Sequence, residues 1–175
     1  MIDTLTPIGS WFRERLPGGR DLTHPELAAL ANELADRPDL WRGLVRHDPE
    51  RRFYFMLHRD RHLEAWLICW VNAQDTTLHD HDISEGAVRV VEGELGEDRL
   101  TLNGLVTDHY RAGESFAFDA SRIHNVRHVG TAPATSLHLY SPPLWHMGYY
   151  ETDADGRLYR RIADFTEEFP ETPSS

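Results

Sequence analysis

The chain has no lysine: all eighteen basic residues among its 175 are arginine. That absence excludes Schiff-base catalysis, anchoring of pyridoxal phosphate and a lysine-bearing phosphate loop. There is one cysteine, Cys69, so no internal disulfide can form, which fits a reducing cytoplasm. Neither the dinucleotide fingerprint G-x-G-x-x-G nor the nucleophile elbow G-x-S-x-G occurs. No apolar run approaches the roughly 20 residues of a membrane span. The first thirteen residues lack the basic-then-apolar order of a signal peptide. Positive charge is scarce as well: 29 acidic residues give a net charge of −11, which argues against nucleic acid or an anionic membrane as partner.

Histidine is abundant, eleven in all. The length fits one domain, 1–175, with a helical N-terminal region over 1–48, a β region over 50–162 and a loose acidic tail over 163–175. Residues 1–22 read as an irregular lead-in. Thr23 then reads as an N-cap, with Pro25 and Glu26 in the first turn of a helix that reaches Asp36 and turns Leu27, Leu30, Ala31 and Leu34 to one face. Pro38 and Asp39 restart a short helix over 40–45. From there the chain breaks into short runs rich in β-branched, aromatic and aliphatic residues. They predict strands over 52–58, 63–71, 76–79, 87–92, 99–102, 106–110, 115–118, 124–128, 136–140, 147–151 and 157–161. Turn signals separate them, among them Asn103-Gly104 and a type I′ hairpin at Asp155-Gly156. Such regular spacing indicates an antiparallel sandwich or barrel.

The chemistry-bearing pattern is Leu78-His79-Asp80-His81. Residues two apart on an extended strand point the same way, so His79 and His81 can aim at one point. In isolation this is as readily a surface pair near a turn. Here it runs on through a turn and an apolar strand to Gly93 and resembles the first motif of the cupin superfamily. His124 stands where the second cupin motif would place a third ligand, although the usual Pro and Gly of that motif are missing. Further on, Ser136-Leu137-His138-Leu139-Tyr140-Ser141-Pro142-Pro143 resembles the signature of cysteine dioxygenases and related thiol dioxygenases. Leu67-Ile68-Cys69-Trp70, with eight residues between Trp70 and His79, fits the same family.

The resemblance covers residues from about 50 to 150. It implies a mostly β cupin barrel (double-stranded β-helix, or jelly roll) with one or two N-terminal α-helices. It implies iron(II) held by His79, His81 and His124, with Ser136, His138 and Tyr140 forming a network beside the substrate. The implied partners are a small thiol and O2, cysteine giving cysteine sulfinate being the first choice, in a cytoplasmic monomer or small homo-oligomer. The chemistry is coherent: three neutral imidazoles on one side of a metal leave the other side open, and a site without an acid ligand keeps its full charge to attract a thiolate. Ser136, His138 and Tyr140 alternate, so they share one face of a strand while Leu137 and Leu139 share the other.

Glu85 carries the main competing reading, because many cupins add a glutamate ligand after the second histidine and then run a different reaction. Counting seven residues back from Gly93, the family's spacing, reaches Gly86 and not Glu85. Parity agrees, since Glu85 shares a face with Arg89 and Gly86 with Val88 and Val90. Animal cysteine dioxygenases carry at the Gly86 position a cysteine cross-linked to the tyrosine matching Tyr140, so here Tyr140 is expected to be an ordinary phenol. The family's carboxylate-binding arginine is also missing. Phe55 stands in its place, with Tyr54 beside it and Arg52, Arg59 and Arg161 as candidate substitutes. Mercaptopropionate, a cysteamine-like thiol or a specialised metabolite therefore stays open as substrate. A non-catalytic ligand-binding cupin and a three-histidine zinc hydrolase remain as readings from other classes.

Overall fold

A strand that is apolar on both sides needs cover on both sides. The chain provides it with a second sheet on one side and helices on the other. The computed structural model describes residues 6–164 and 166. Its helices come first: α1 (Pro7–Arg15) and α2 (His24–Ala35). Then follow, among the described residues, β1 (Phe53–Arg59), β2 (Glu64–Trp70), β3 (His79–Asp80), β4 (Glu85–Glu92), β5 (Glu94–Thr101) and β6 (Gly104–Arg111). The remaining strands are β7 (Ser115–Phe118), β8 (His124–Val129), β9 (Ala134–Ser141), β10 (His146–Thr152) and β11 (Leu158–Asp164). They form a five-stranded sheet in the order β1-β2-β9-β4-β7 and a six-stranded sheet in the order β11-β10-β3-β8-β5-β6, with every pairing antiparallel.

The strands β2 and β9 are buried at every position. Cys69, Leu67, Leu137 and Leu139 face the helices, where they pack with Leu27, Leu30 and Leu34 of α2. Trp66, Ile68, Trp70 and Tyr140 face the second sheet and pack with Val88, Phe118, Val126 and Met147. Each fully buried leucine of α2 contributes on the order of 1.5–3 kcal/mol.

The N-terminus of α2 is built as the sequence indicates: Thr23 precedes it, and the Thr23 backbone N–H donates to Glu26 at 2.9 Å. By contrast, α1 falls within the segment read as an irregular lead-in. The Thr6 hydroxyl caps it by accepting from the Gly9 N–H at 3.2 Å, and Ile8, Trp11 and Phe12 are its buried apolar side chains. That spacing of three and four was a helical signal, diluted by Gly9, Ser10 and three charged residues near the end of the helix. The helix expected over 40–45 is instead a pair of 3-10 turns, Pro38–Leu40 and Arg42–Leu44.

The chain passes from one sheet to the other at Gly93, between β4 and β5. Its φ of +70° and the nearness of Pro133 and Ala134 to any Cβ there both require glycine. The hairpin between β10 and β11 differs from the expected type I′ turn. Gly156 alone has positive φ, and its N–H reaches back to the Asp153 carbonyl at 2.9 Å. The Asp153 carboxylate accepts from Asp155 N at 2.9 Å and Arg157 N at 2.8 Å, which favours this wider turn. The strand β11 runs through Asp164 with Ala163 buried, so positions 163 and 164 of the expected loose tail belong to the sheet. Residues 165 and 167–175, on which the rest of that reading falls, lie outside the described residues.

Candidate metal centre

His79 opens β3 and His124 opens β8, and the two are directly paired across the ladder. His81 follows two residues after His79. All three are at most 3% exposed, and their candidate ligand atoms lie within 4.8 Å of one another. The Nε2 atoms of His79 and His81 are 3.1 Å apart. Two imidazole nitrogens bound at right angles to one ion, each about 2.1 Å away, stand about 3 Å apart, so the separation fits a shared cation.

The outer nitrogens fix the tautomers. His79 Nδ1 is 3.0 Å from the Thr77 carbonyl, and His124 Nδ1 is 2.8 Å from the Glu97 carboxylate. Both acceptors require an N–H on Nδ1, leaving each Nε2 lone pair pointing inward. The Nε2 of His124 is buried and has no hydrogen-bond partner. A metal would satisfy it, and the residues present fit one. Burial pushes His79 down to about 4, and it pushes His81 and His124 well below the usual histidine range, aided by the neighbouring imidazoles. The rings are therefore neutral, the state in which they can ligate.

The strand β9 brings a second group alongside. Trp70 Nε1 donates to Ser136 Oγ at 2.9 Å; Ser136 Oγ is 2.8 Å from His138 Nε2; His138 Nδ1 is 3.1 Å from the Tyr140 hydroxyl. The Tyr140 ring lies 5.0 Å from that of His81. Between the two groups is a cavity of about 10 Å³, lined in part by His79, His124, His138, Tyr140 and Met147. It holds about one water or ion. A larger cavity of about 450 Å³ lies between α1 and the β1–β2 turn and touches none of the three histidines.

Glu85 lies apart from the centre. Its carboxylate accepts from the His24 backbone N–H at 2.6 Å and from His24 Nδ1 at 2.7 Å, at the start of α2. Phe55 is 40% exposed and does not line the cavity. The residues of β1 that pack toward the inter-sheet core are Tyr54 and Met56, and Arg52 shares their parity. The Arg52 guanidinium lies 5.1 Å over the Trp70 ring, donates to the Asp75 carbonyl, and helps to hold His79 and His138 neutral by its charge. Arg59 pairs with buried Glu64 and donates to the Leu144 carbonyl at 2.9 Å. Arg161 pairs with Glu151 at 3.4 Å on the outer strand. Cys69 is on the helix face, away from the centre.

Two carboxylates beside the centre were not singled out in the sequence. Asp80, between the two histidines, is gripped by Arg160 at 2.6 and 2.7 Å and by the Tyr150 hydroxyl at 2.8 Å. This fastens β3 to the β10–β11 hairpin. Gly148 leaves the room for it, because a Cβ there would strike both Arg160 and Asp80. The other is Glu97, fully buried under His124. It sits on β5, which pairs with the His124-bearing β8, and in the sequence it is hidden among the charged residues of the run 94–99.

Two antiparallel sheets with three converging histidines between them define a cupin with a three-histidine centre. Solved structures agree on the fold. A Klebsiella pneumoniae protein with a double-stranded β-helix domain superposes with TM-score 0.51 at 13% identity, covering 68% of this chain and 91% of that one. The TT1209 protein from Thermus thermophilus gives 0.52 at 21% identity, covering 58% and 92%. The sequence defines the family: residues 19–153 match the model for cysteine dioxygenase type I, and the chain belongs to that family. It is 26% identical over 132 residues to zebrafish (Danio rerio) cysteine dioxygenase type 1, spanning 67% of this chain and 65% of that protein. It is 24% identical over 140 residues to the human protein of the same name, spanning 74% and 70%.

Proposed function

We propose that the chain is an iron(II) thiol dioxygenase, with His79, His81 and His124 as ligands and a small thiol as substrate. The observation that carries this reading is the convergence of three buried, neutral imidazoles on one point, two of which, His79 and His124, line a cavity with Tyr140 and His138. In the reaction a thiol and O2 give a sulfinic acid: two S–O bonds form, the O–O bond breaks, and all the electrons come from sulfur, so no external reductant is needed. When bound, iron(II) supplies the charge that favours a thiolate and the redox reactivity that dioxygen requires.

The protein's own part is to orient and to hold protons. Ser136 Oγ accepts from Trp70 and directs its own proton to His138 Nε2, 2.8 Å away. His138, pushed down to about 3 chiefly by burial, is neutral and carries its proton on Nδ1, from which it donates to the Tyr140 oxygen. Tyr140 thereby keeps its own proton to donate to substrate or oxygen inside the cavity. Phe118 stacks on His81 with ring centroids 4.9 Å apart and, with Met147, excludes water from this side.

For the substrate, Arg52 takes the place of the missing arginine. Its charge reaches His79 and His138, and a carboxylate drawn toward it would leave a short thiol within reach of the imidazoles. Cysteine remains the first candidate, and 3-mercaptopropionate the second. The test is oxygen uptake by anaerobically iron-loaded protein with cysteine, 3-mercaptopropionate and cysteamine, together with sulfinate formation. The two carboxylated thiols are expected to react fastest, and Arg52→Gln is expected to raise KM for them while leaving cysteamine unaffected. No uptake with any thiol would defeat the reading.

A further inference from the structure

The three proposed ligands differ in what lies behind them. His79 donates from Nδ1 to a backbone carbonyl, whereas His124 donates to the carboxylate of Glu97 at 2.8 Å. Glu97 has no exposure at all, yet its cations stay near the surface: the side chains of Arg122 and Arg99 are 24% and 29% exposed. Arg122 Nη1 reaches the same oxygen as His124 at 2.9 Å, Arg99 Nε comes within 3.7 Å of the other, and the Tyr110 hydroxyl is 3.4 Å away. Burying a carboxylate is costly, and an ion pair that only joined β5 to β8 could form at the surface without that cost. In this arrangement the anion alone is drawn inward, to the one place where it meets the outer nitrogen of a histidine whose inner nitrogen faces the centre.

We infer that Glu97 is a positioning residue for the metal: through the Nδ1–H of His124 it fixes that ring's tautomer and orientation and returns to the centre part of the negative charge that an all-histidine ligand set lacks. The inference rests on His124 being a ligand. An imidazole hydrogen-bonded to a carboxylate is a stronger donor than one bonded to an amide carbonyl, and loss of such a partner typically weakens metal binding by about 10–100-fold. The charge should also favour the oxidised metal, so removing it should raise the reduction potential of bound iron.

Cobalt(II) titration of the metal-free protein, followed by its visible spectrum, tests this without requiring any turnover. Glu97→Gln keeps the size and a hydrogen-bond acceptor but removes the charge. It is expected to bind cobalt(II) about 10–100-fold more weakly than the wild-type chain, with the cooperative melt retained. The iron-loaded variant should show a higher midpoint potential. Binding within twofold of wild type, with an unshifted potential, would overturn the inference and leave a purely structural ion pair. Failure of the wild-type chain itself to bind cobalt(II) would instead defeat the ligand assignment. Should Glu97→Gln not fold, the imidazole 15N shifts of His124 in the metal-free wild-type protein decide. A proton on Nδ1 and a bare Nε2 are expected, and the opposite tautomer would overturn the proposal.

Discussion

Gly86 lies directly opposite Tyr140 across the β4–β9 ladder. A Cβ at Gly86 would overlap the Phe118 ring, which is 1% exposed and stacked on His81. The space beside Tyr140 that a thioether partner would need is therefore filled by an aromatic ring. Gly86→Ala should destabilise the protein by about 1–3 kcal/mol, the usual magnitude for overpacking, as read by denaturant unfolding, and Phe118→Leu in the same chain should recover much of it. Gly86→Cys alone should give no cross-link to Tyr140 by intact mass. Full stability in Gly86→Ala would show that Phe118 is not held there.

In the proposed reaction the arrangement of Ser136, His138 and Tyr140 would make Tyr140 the proton donor and His138 its support. Tyr140→Phe should lower kcat by about 10²–10⁴ while iron content and KM stay near wild type, the range for loss of a positioned proton donor. His138→Ala should lower kcat in the same direction and also retain iron. A Tyr140→Phe enzyme with wild-type kcat would remove the hydroxyl from the chemistry.

The clamp between Asp80 and Arg160 ties the histidine-bearing strand to the β10–β11 hairpin. Hydrogen bonds from Arg160, the Asp82 N–H and Tyr150, opposed by burial, hold the Asp80 carboxyl at about 2. Because the folded value is depressed, its stabilisation is complete above the unfolded value near 3.8 and fades as pH falls through about 2. Since Arg160 is about one-third exposed, the pair's worth is reduced by solvent to about 1–2 kcal/mol. Arg160→Ala should show that loss at neutral pH, and the difference from wild type should shrink below pH 3. A constant difference across pH would assign the effect to packing.

The buried histidines give the metal-free protein a second pH dependence with its own window. His138 at about 3 and His79 at about 4 bind fewer protons folded than unfolded. Stability should therefore fall as pH drops below the unfolded value near 6.5, by about 1.4 kcal/mol per pH unit per histidine, until each folded value is passed. Chemical denaturation of the metal-free chain at pH 7.5 and 5.5 reads this directly. Added metal should raise stability more at the higher pH, because protons compete for the ligand nitrogens.

How much of this was legible in the sequence follows from how local each feature is. His79 and His81 share a face because strand side chains alternate, and the Ser136-His138-Tyr140 face follows by the same rule. The outward placement of Glu85 could be argued from Arg89, which shares its face of β4. Glu97 could not be found this way: in a run of charged residues one buried carboxylate looks like its solvated neighbours, and only the pairing of β5 with β8 reveals it. Arg52 was legible only as one candidate that would need a shift in the register of β1. Counting back through Leu57 pointed to Phe55, but a shift in the β1–β2 ladder between Met56 and His58 interrupts that count, and Tyr54 and Met56 pack inward. Helix α1 was missed because its cap and three apolar contacts are tertiary in effect: Trp11 and Phe12 have nothing to bury against until β1 is in place.

In the proposed reaction both atoms of one dioxygen molecule are added to a thiol sulfur. The most direct measurement is mass spectrometry of the product formed by iron(II)-loaded protein from cysteine under 18O2 in ordinary water. A thiol dioxygenase should give a sulfinate carrying two labelled oxygens, with none formed by metal-depleted protein or by His124→Ala. A product with one label, with oxygen from water, or no sulfinate from any thiol tried, would contradict it.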